Sequence, residues 1–402
     1  MDVQSTIQTL TLIALAAVLS PIIADLLARW VAVPAIVLEL LFGVLIGPFV
    51  LGWAALDNII SAFSSLGLAI LMFMAGYEID FPGLKGRPLR LAVEGWLCSL
   101  VLGLALVAVR TGWTEKTLVI GLALTTTALG TLLPILRDRG QLGTPFGNRV
   151  MAVGAIGEFA PIVTISIVLT TDKPGRALVL LALFVLLAVV AAVLARRPAP
   201  PRIGALVTRT LTTSAQFAIR LVMLVLVVMV FIAYEFGLDT LLGSFAAGIV
   251  VRLATRAAPE HHVATVESKL DAVGFGFLVP IFFVVSGLKL NLDALSTGTG
   301  LLLTGLFLLA LLVVRGGPIM VLHRRDPGRE RVALALLGSS ALPLIVVITG
   351  IGTDDGVLTT LVAAALVAAG ALSVLIYPQV ALRLVVPGDA EPARVPAEPE
   401  AL

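Results

Sequence analysis

Apolar runs of about 20 residues recur along almost the whole chain, separated by short stretches in which Pro, Gly, Arg and Asp concentrate. At about 1.5 Å of rise per residue, such a run crosses a hydrocarbon core of about 30 Å as an α-helix. The runs lack the alternation of apolar and polar positions that a membrane-spanning strand requires, so a helix bundle is predicted rather than a closed barrel. Length and hydropathy predict about thirteen spans, near 6–26, 33–53, 58–78, 88–109, 116–137, 146–171, 176–195, 214–236, 240–254, 268–288, 298–320, 331–351 and 357–383. The stretch before the first, "MDVQSTIQ", has no basic region, which marks that helix as a true span and not a cleaved signal. After the last, "PGDAEPARVPAEPEAL" (387–402) is rich in Pro and Glu and is expected to be a disordered cytoplasmic tail on a membrane domain covering 1–386.

Composition agrees: 59% of residues are hydrophobic, only 13% are charged, and the mean hydropathy is +1.09. The expected fold class is therefore an all-α polytopic membrane protein. Charge then gives its orientation. With the N-terminus outside, 21 of the 27 Lys and Arg residues fall after odd-numbered spans, among them Arg149, Arg252, Arg315 and Arg324. Five lie on the opposite side, including Lys289, and Arg220 sits within the eighth span. That bias predicts a cell-membrane protein with its C-terminus in the cytoplasm. The basic loops serve topology, so the net charge of +2 gives no reason to expect nucleic-acid binding.

Thirteen spans with short loops suggest a duplication in which spans 1–6 and 8–13 form inverted repeats and span 7 links them. Two interrupted helices fall at corresponding positions. "LTTTALGTLLP" (124–134) in span 5 and "LGSSALPL" (337–344) in span 12 each combine hydroxyl residues with Gly and Pro near mid-membrane. Such breaks free backbone groups that can bind an ion where they line a cavity. Alternatively, the hydroxyls hydrogen-bond to the preceding turn and the Gly and Pro residues are packing kinks.

Glu158 is the lone acid of "AVGAIGEFAPIVTISIVLT" (152–170), roughly 18 Å along span 6 and thus close to the midplane. Other charged groups within spans, such as Glu39, Glu94, Glu235 and Arg252, lie nearer the ends. A carboxylate in apolar surroundings is costly, and one that can hold either a proton or a monovalent cation is a natural exchange site. The other reading is a permanently protonated, structurally bonded Glu. Lesser features take simpler readings. Cys98, the only cysteine, is read as a packing residue of span 4. His261 and His262 sit in an inner loop without further ligands at metal-site spacing. "GFGF" (274–277) is read as helix packing, and Asp354 and Asp355 as a solvated turn at the outer face.

Taken together, "VPAIVLELLFGVLIGPFVLG" (33–52), "LGLAILMFMAGYEID" (66–80), "ALTTTALGTLLPILRDRGQLGTPFGN" (123–148) and "VPIFFVVSGLKLNL" (279–292) resemble the Kef/Nap-type monovalent cation:proton antiporters of the second cation-antiporter family, over about residues 8–385. The resemblance implies an inverted-repeat antiporter fold with a panel, a mobile core and two crossed broken helices, and a homodimer. It places Glu158 at the essential acid, Gly157 at the residue before it, Thr126 and Thr127 at the hydroxyls of broken span 5, and Ser339 and Ser340 in the break of span 12. Three departures stand out. Glu replaces the usual Asp, Gly157 supplies no side-chain ligand, and Leu342 replaces a Glu of many relatives; in addition, span 10 has no basic residue at its centre to pair with Glu158. The implied function is exchange of Na+ or K+ for H+ by alternating access, with one proton per cation and hence electroneutral. No metal, nucleotide or organic cofactor is required. A cation channel would need flux far above carrier rates without proton coupling, and a sodium-coupled symporter of an organic anion would need substrate-dependent uptake. An enzyme has no constellation of catalytic side chains on one face of the membrane to support it.

Overall fold

The computed structural model describes residues 3–27, 33–79, 86–130, 132, 136, 139–141, 144–168, 174–195, 216–255 and 260–385. The tail 387–402 and most of the second half of broken span 5 (131–138) lie outside the described residues. The helices are α1 (Val3–Leu27), α2 (Ala35–Ile46), α3 (Asn58–Tyr77), α4 (Arg87–Thr111), α5 (Glu115–Ala123), α6 (Pro145–Val168), α7 (Pro174–Ala195), α8 (Phe217–Glu235), α9 (Thr240–Thr255), α10 (Glu260–Val273), α11 (Val279–Leu288), α12 (Gly298–Leu311), α13 (Gly317–Leu322), α14 (Gly328–Gly338), α15 (Pro343–Asp354) and α16 (Thr360–Leu384). One π-helical turn, Gly274–Leu278, joins α10 to α11, and another, Leu312–Gly316, joins α12 to α13, so each pair forms one continuous span. Among the described residues, nine helical segments are long and apolar enough to cross a membrane, and α2, α9 and residues 179–191 of α7 are shorter apolar helices. With the interrupted α5, these make up the thirteen spans expected from the sequence.

The spans sort into two groups by their packing. In one, α3 lies along α9, α2 along α11, α1 on α2 and α8 on α9. In the other, α4 packs on α5 and α6, while α12 and α14 pack on α16. Helix α7 touches both groups, through α9 and α6. Pairing recurs after a shift of seven spans: α2–α11 answers to α9–α3, and α4–α6 to α12–α16. The first group is held by reciprocal glycines. A Cβ on Gly43 would run into the carbonyl of Val284, and one on Gly287 would come within 2.8 Å of the Val44 nitrogen. Gly76 and Gly248 do the same for α3 and α9, where a Cβ on Gly248 would lie 2.7 Å from the Tyr77 nitrogen. Only a hydrogen at these positions lets the backbones approach so closely.

Local chemistry explains the element ends. Asp57 caps α3 by accepting the Ile60 N–H at 2.7 Å, and it takes a hydrogen bond from the Thr6 hydroxyl of α1. In "GFGF", Gly274 faces Ile70 and Met74 of α3, so this stretch does serve helix packing, as a π-helical turn. Cys98 corrects the expectation of a packing residue. It is exposed, on the side of α4 away from the buried Gly95, Trp96 and Ser99, and faces outward from the bundle.

Ala at Gly248 or at Gly287 is expected to destabilise the purified protein by about 1–3 kcal/mol through overpacking, read as a lower Tm. Ala at Gly305, whose missing Cβ would meet nothing within 4 Å, leaves the Tm unchanged. Hydrogen bonds from the Ile60 N–H and the Thr6 hydroxyl hold the Asp57 carboxyl below the usual carboxylate range. The stabilisation is therefore present above the ordinary carboxylate pKa and is lost as pH falls through the depressed one. Accordingly, the Tm difference between native protein and Asp57→Ala is expected to shrink on acidification.

Candidate ion-binding site

Both broken spans meet α6 at one place. Helix α5 stops at Ala123 because the following threonines turn their hydroxyls back onto its last carbonyls. Thr125 bonds Leu122 at 2.7 Å and Thr126 bonds Ala123 at 2.8 Å. Helix α14 stops at Gly338 in the same way: the Ser339 hydroxyl donates to Ala335 at 2.7 Å and that of Ser340 to Leu336 at 3.3 Å. Pro343, which has no N–H to satisfy, starts α15. The two breaks then bond to each other. Ala128 N–H donates to the Ser340 carbonyl at 2.8 Å, and the Thr127 hydroxyl to the Gly338 carbonyl at 2.6 Å. Thr127 N–H reaches the Gly157 carbonyl of α6 at 3.0 Å. From behind, Ser373 of α16 accepts the Ala341 N–H at 3.0 Å.

The structure therefore brings all six predicted residues together, but in two different roles. Glu158 is 4% exposed; the Leu129 N–H points at its carboxylate, while Oε2 has no hydrogen-bond partner among the described residues. Thr126, Ser339 and Ser340 are buried with their hydroxyl protons committed to carbonyls, which leaves oxygen lone pairs as possible cation ligands. Thr127 is different, because its hydroxyl proton goes to Gly338 and its oxygen accepts from an arginine.

That arginine, Arg315, corrects the sequence reading, which counted it on the cytoplasmic side. It is 1% exposed, within the π-helical turn of span 11, and donates to Thr127 Oγ1 through Nε at 3.1 Å and through an NH2 group at 2.7 Å. The same NH2 group reaches the Val153 carbonyl at 3.2 Å. Span 11 thus brings a buried cation to the crossing, bonded to Thr127 and Val153 and not to the acid. Gly157 is where it fits: a Cβ there would sit 2.5 Å from the guanidinium and 2.7 Å from the Thr127 Cβ. No hydrogen bond or ion pair joins Arg315 to Glu158 among the described residues. A signal was legible in "LLVVRGGPIM", where an Arg interrupts an apolar run just before two glycines and a proline.

A second group was also missed. Glu78 caps the C-terminal end of α3 and lies within electrostatic reach of Glu158. At the opposite end of α3, a cavity of about 420 Å3 opens between the two helix groups, bounded by α3 and α11 on one side and α15 and α16 on the other. Ser64, Ser286 and Thr349 line it, together with Asp239, Lys289 and Asp354. Asp354, expected in a plain turn, thus stands at its rim. Burial raises the Asp239 carboxyl above its ordinary range, against the pull of the Leu241 N–H it accepts.

A helix bundle with two broken spans crossing beside a buried acid is the architecture of an ion-coupled secondary transporter. Residues 14–385 match the family model described as "Sodium/hydrogen exchanger, transmembrane", and the chain belongs to that family. It is 27% identical over 400 residues to YjbQ of Bacillus subtilis, covering 93% of this chain and 62% of that protein. It is 24% identical to the Na(+)/H(+)-K(+) antiporter GerN of Bacillus cereus, covering 86% of this chain and 88% of GerN. In fold it matches the sodium proton antiporter MjNhaP1 of Methanocaldococcus jannaschii, with a TM-score of 0.68 at 18% identity over 94% of this chain and 99% of that one.

The fit between Gly157 and Arg315 gives a testable coupling. Gly157→Ala is expected to cost about 1–3 kcal/mol by crowding the guanidinium and Thr127. In an Arg315→Lys background, where the slimmer ammonium frees that space, the cost of Gly157→Ala drops, so a double-mutant cycle in Tm is non-additive. Additive losses contradict the steric coupling.

Proposed function

We propose that the chain exchanges a monovalent cation, Na+ or K+, for a proton across the cell membrane, electroneutrally and by alternating access. The observation that carries this reading is a buried carboxylate, Glu158, with an unbonded oxygen beside two broken helices. When charged, it can be satisfied by a proton or by a cation ligated also by hydroxyl and carbonyl oxygens of the breaks, with Thr126, Ser339 and Ser340 the candidates. It cannot hold both. One acid site therefore exchanges one proton for one cation.

Arg315 and Thr127 act as positioning residues in this scheme. Two helix C-terminal ends, those of α5 and α14, converge on the crossing, and their partial negative charge is offset by the guanidinium. Gly157 gives that guanidinium room. The group holding Glu158 takes the role of the moving core and the glycine-locked group that of the panel, which is consistent with a cavity that opens between them. Recurrence of the helix pairing after seven spans supports the reading of spans 1–6 and 8–13 as inverted repeats. Moving Arg315 inside the membrane leaves 20 basic residues on the predicted inner side against five opposite, so the orientation with the N-terminus outside and the C-terminus in the cytoplasm keeps its support. Homodimerisation follows from the family resemblance.

In proteoliposomes with an imposed pH gradient, Na+, K+, Li+ or Rb+ added in turn is expected to collapse the gradient for the native protein. Glu158→Gln abolishes the response, while Glu158→Asp retains exchange at lower cation affinity. An undiminished response in Glu158→Gln contradicts the assignment.

A further inference from the structure

The loop between spans 11 and 12, "HRRDPGRER" (323–331), carries four arginines and two acids. Its side chains sort by charge. His323, buried at the end of α13, bonds Asp326 through Nδ1 at 2.8 Å, and Asp326 also pairs with Arg149 Nε at 3.5 Å. Glu330 pairs with the same guanidinium. Both acids are thus turned inward onto the second turn of α6, nine residues before Glu158. Arg324, Arg325 and Arg329 are turned the other way. They are exposed and make no ion pair among the described residues, while Arg331 donates back to the Arg324 carbonyl at 3.4 Å. Exposed valines, Val321 on α13 and Val332 on α14, flank the loop, which puts these arginines on the perimeter of the bundle where the spans leave hydrocarbon.

We propose that Arg324, Arg325 and Arg329 form a binding surface for the phosphate headgroups of anionic lipids. A guanidinium offers paired donors that match phosphate oxygens, and apolar neighbours on both sides of the loop match acyl chains. Because the loop joins two spans directly, a partner that reaches all three arginines lies against the membrane boundary. Topology requires such loops to be basic, but it does not require the acids to be withdrawn or the arginines to share a lipid-facing edge. In the glycine-locked group, cations near the same face are largely held by their own neighbours: Arg252 by Glu267 at 2.7 Å and Lys269 by Gln216 at 2.8 Å, with Arg220 exposed. Arg149 ties the arginine loop to α6, so a lipid bound there is held by the body that carries Glu158. In the exchange reading given above, the moving core is thereby anchored to the headgroups of one leaflet, the cytoplasmic one in the predicted orientation. Binding itself does not depend on that reading.

The test is lipid retention by the purified protein in detergent, read by native mass spectrometry with phosphatidylglycerol and phosphatidylcholine in equal amounts. Native protein is expected to retain the anionic lipid about three-fold or more over the zwitterionic one, and choline chloride reduces the excess by screening. The triple variant Arg324→Gln, Arg325→Gln, Arg329→Gln lowers the ratio by at least about two-fold, whereas the corresponding triple Lys variant and Arg220→Gln keep most of it. Single reversals, Arg325→Glu or Arg329→Glu, each lower it as well, so the outcome does not hang on the triple variant folding. A native ratio near one, or a ratio unchanged in the Gln and Glu variants, overturns the proposal. So does inorganic phosphate that displaces phosphatidylglycerol at millimolar concentration, since the site then reads free phosphate and not a lipid. Absence of cation-driven proton movement by the native protein overturns the exchange reading and leaves lipid binding intact.

Discussion

Breaking a helix inside hydrocarbon exposes backbone N–H and C=O groups where no water can satisfy them, at several kcal/mol each. The rest of this structure depends on how that cost is met. Here two broken helices largely satisfy each other: Ala128 N–H bonds Ser340, the Thr127 hydroxyl bonds Gly338, and Thr127 N–H reaches Gly157 on α6. The remaining carbonyls at the ends of α5 and α14 are met by their own hydroxyl residues and the residual negative potential by Arg315. Removing any one of these leaves a buried polar group unpaired, so the crossing is a single cooperative unit and not a set of separable contacts.

The other half of the molecule answers a different demand. A carrier needs one body that holds still while another moves, and packing by apolar side chains alone gives little preference between lipid and protein. Reciprocal glycines at Gly43 with Gly287, and at Gly76 with Gly248, draw the paired backbones into direct contact. Among the described residues, the acid-bearing group has no such lock against the glycine-bound one. Instead, the mostly apolar cavity between α3, α11, α15 and α16 carries hydroxyls that have already donated to their own helices, such as Ser286 to Phe282 and Thr349 to Ile345. Their outward lone pairs suit a hydrated cation, and they bind neither wall to the other.

Much of this was legible in the sequence. Span number, both breaks and the lone midplane acid follow from hydropathy, Gly and Pro placement and the cost of a buried charge, all of which are local in the chain. Arg315 and Glu78 were not recovered, and for the same reason. Each lies towards the end of a span, where a charged side chain ordinarily reaches water. Burial of Arg315 depends on a π-helical turn and on the absence of a side chain at Gly157, 158 positions earlier in the chain. Distance along the chain hides such complementarity: a missing Cβ is read as a missing ligand until the guanidinium that fills the space is seen.

That substitution bears on coupling. A carrier that exchanges two ligands at one carboxylate works only if the empty, charged site is too costly to move. A basic residue hydrogen-bonded to the acid would relieve that cost and let the empty carrier slip. Arg315 brings a positive charge to the crossing, yet its hydrogen bonds go to Thr127 and Val153, leaving Glu158 Oε2 buried and unbonded. Its charge stabilises the broken helices without satisfying the acid. In the proposed exchange, Glu158 therefore keeps its need for a proton or a cation, and the same guanidinium is present whichever of the two it holds, so the charge carried by the core would be the same in both directions of the cycle.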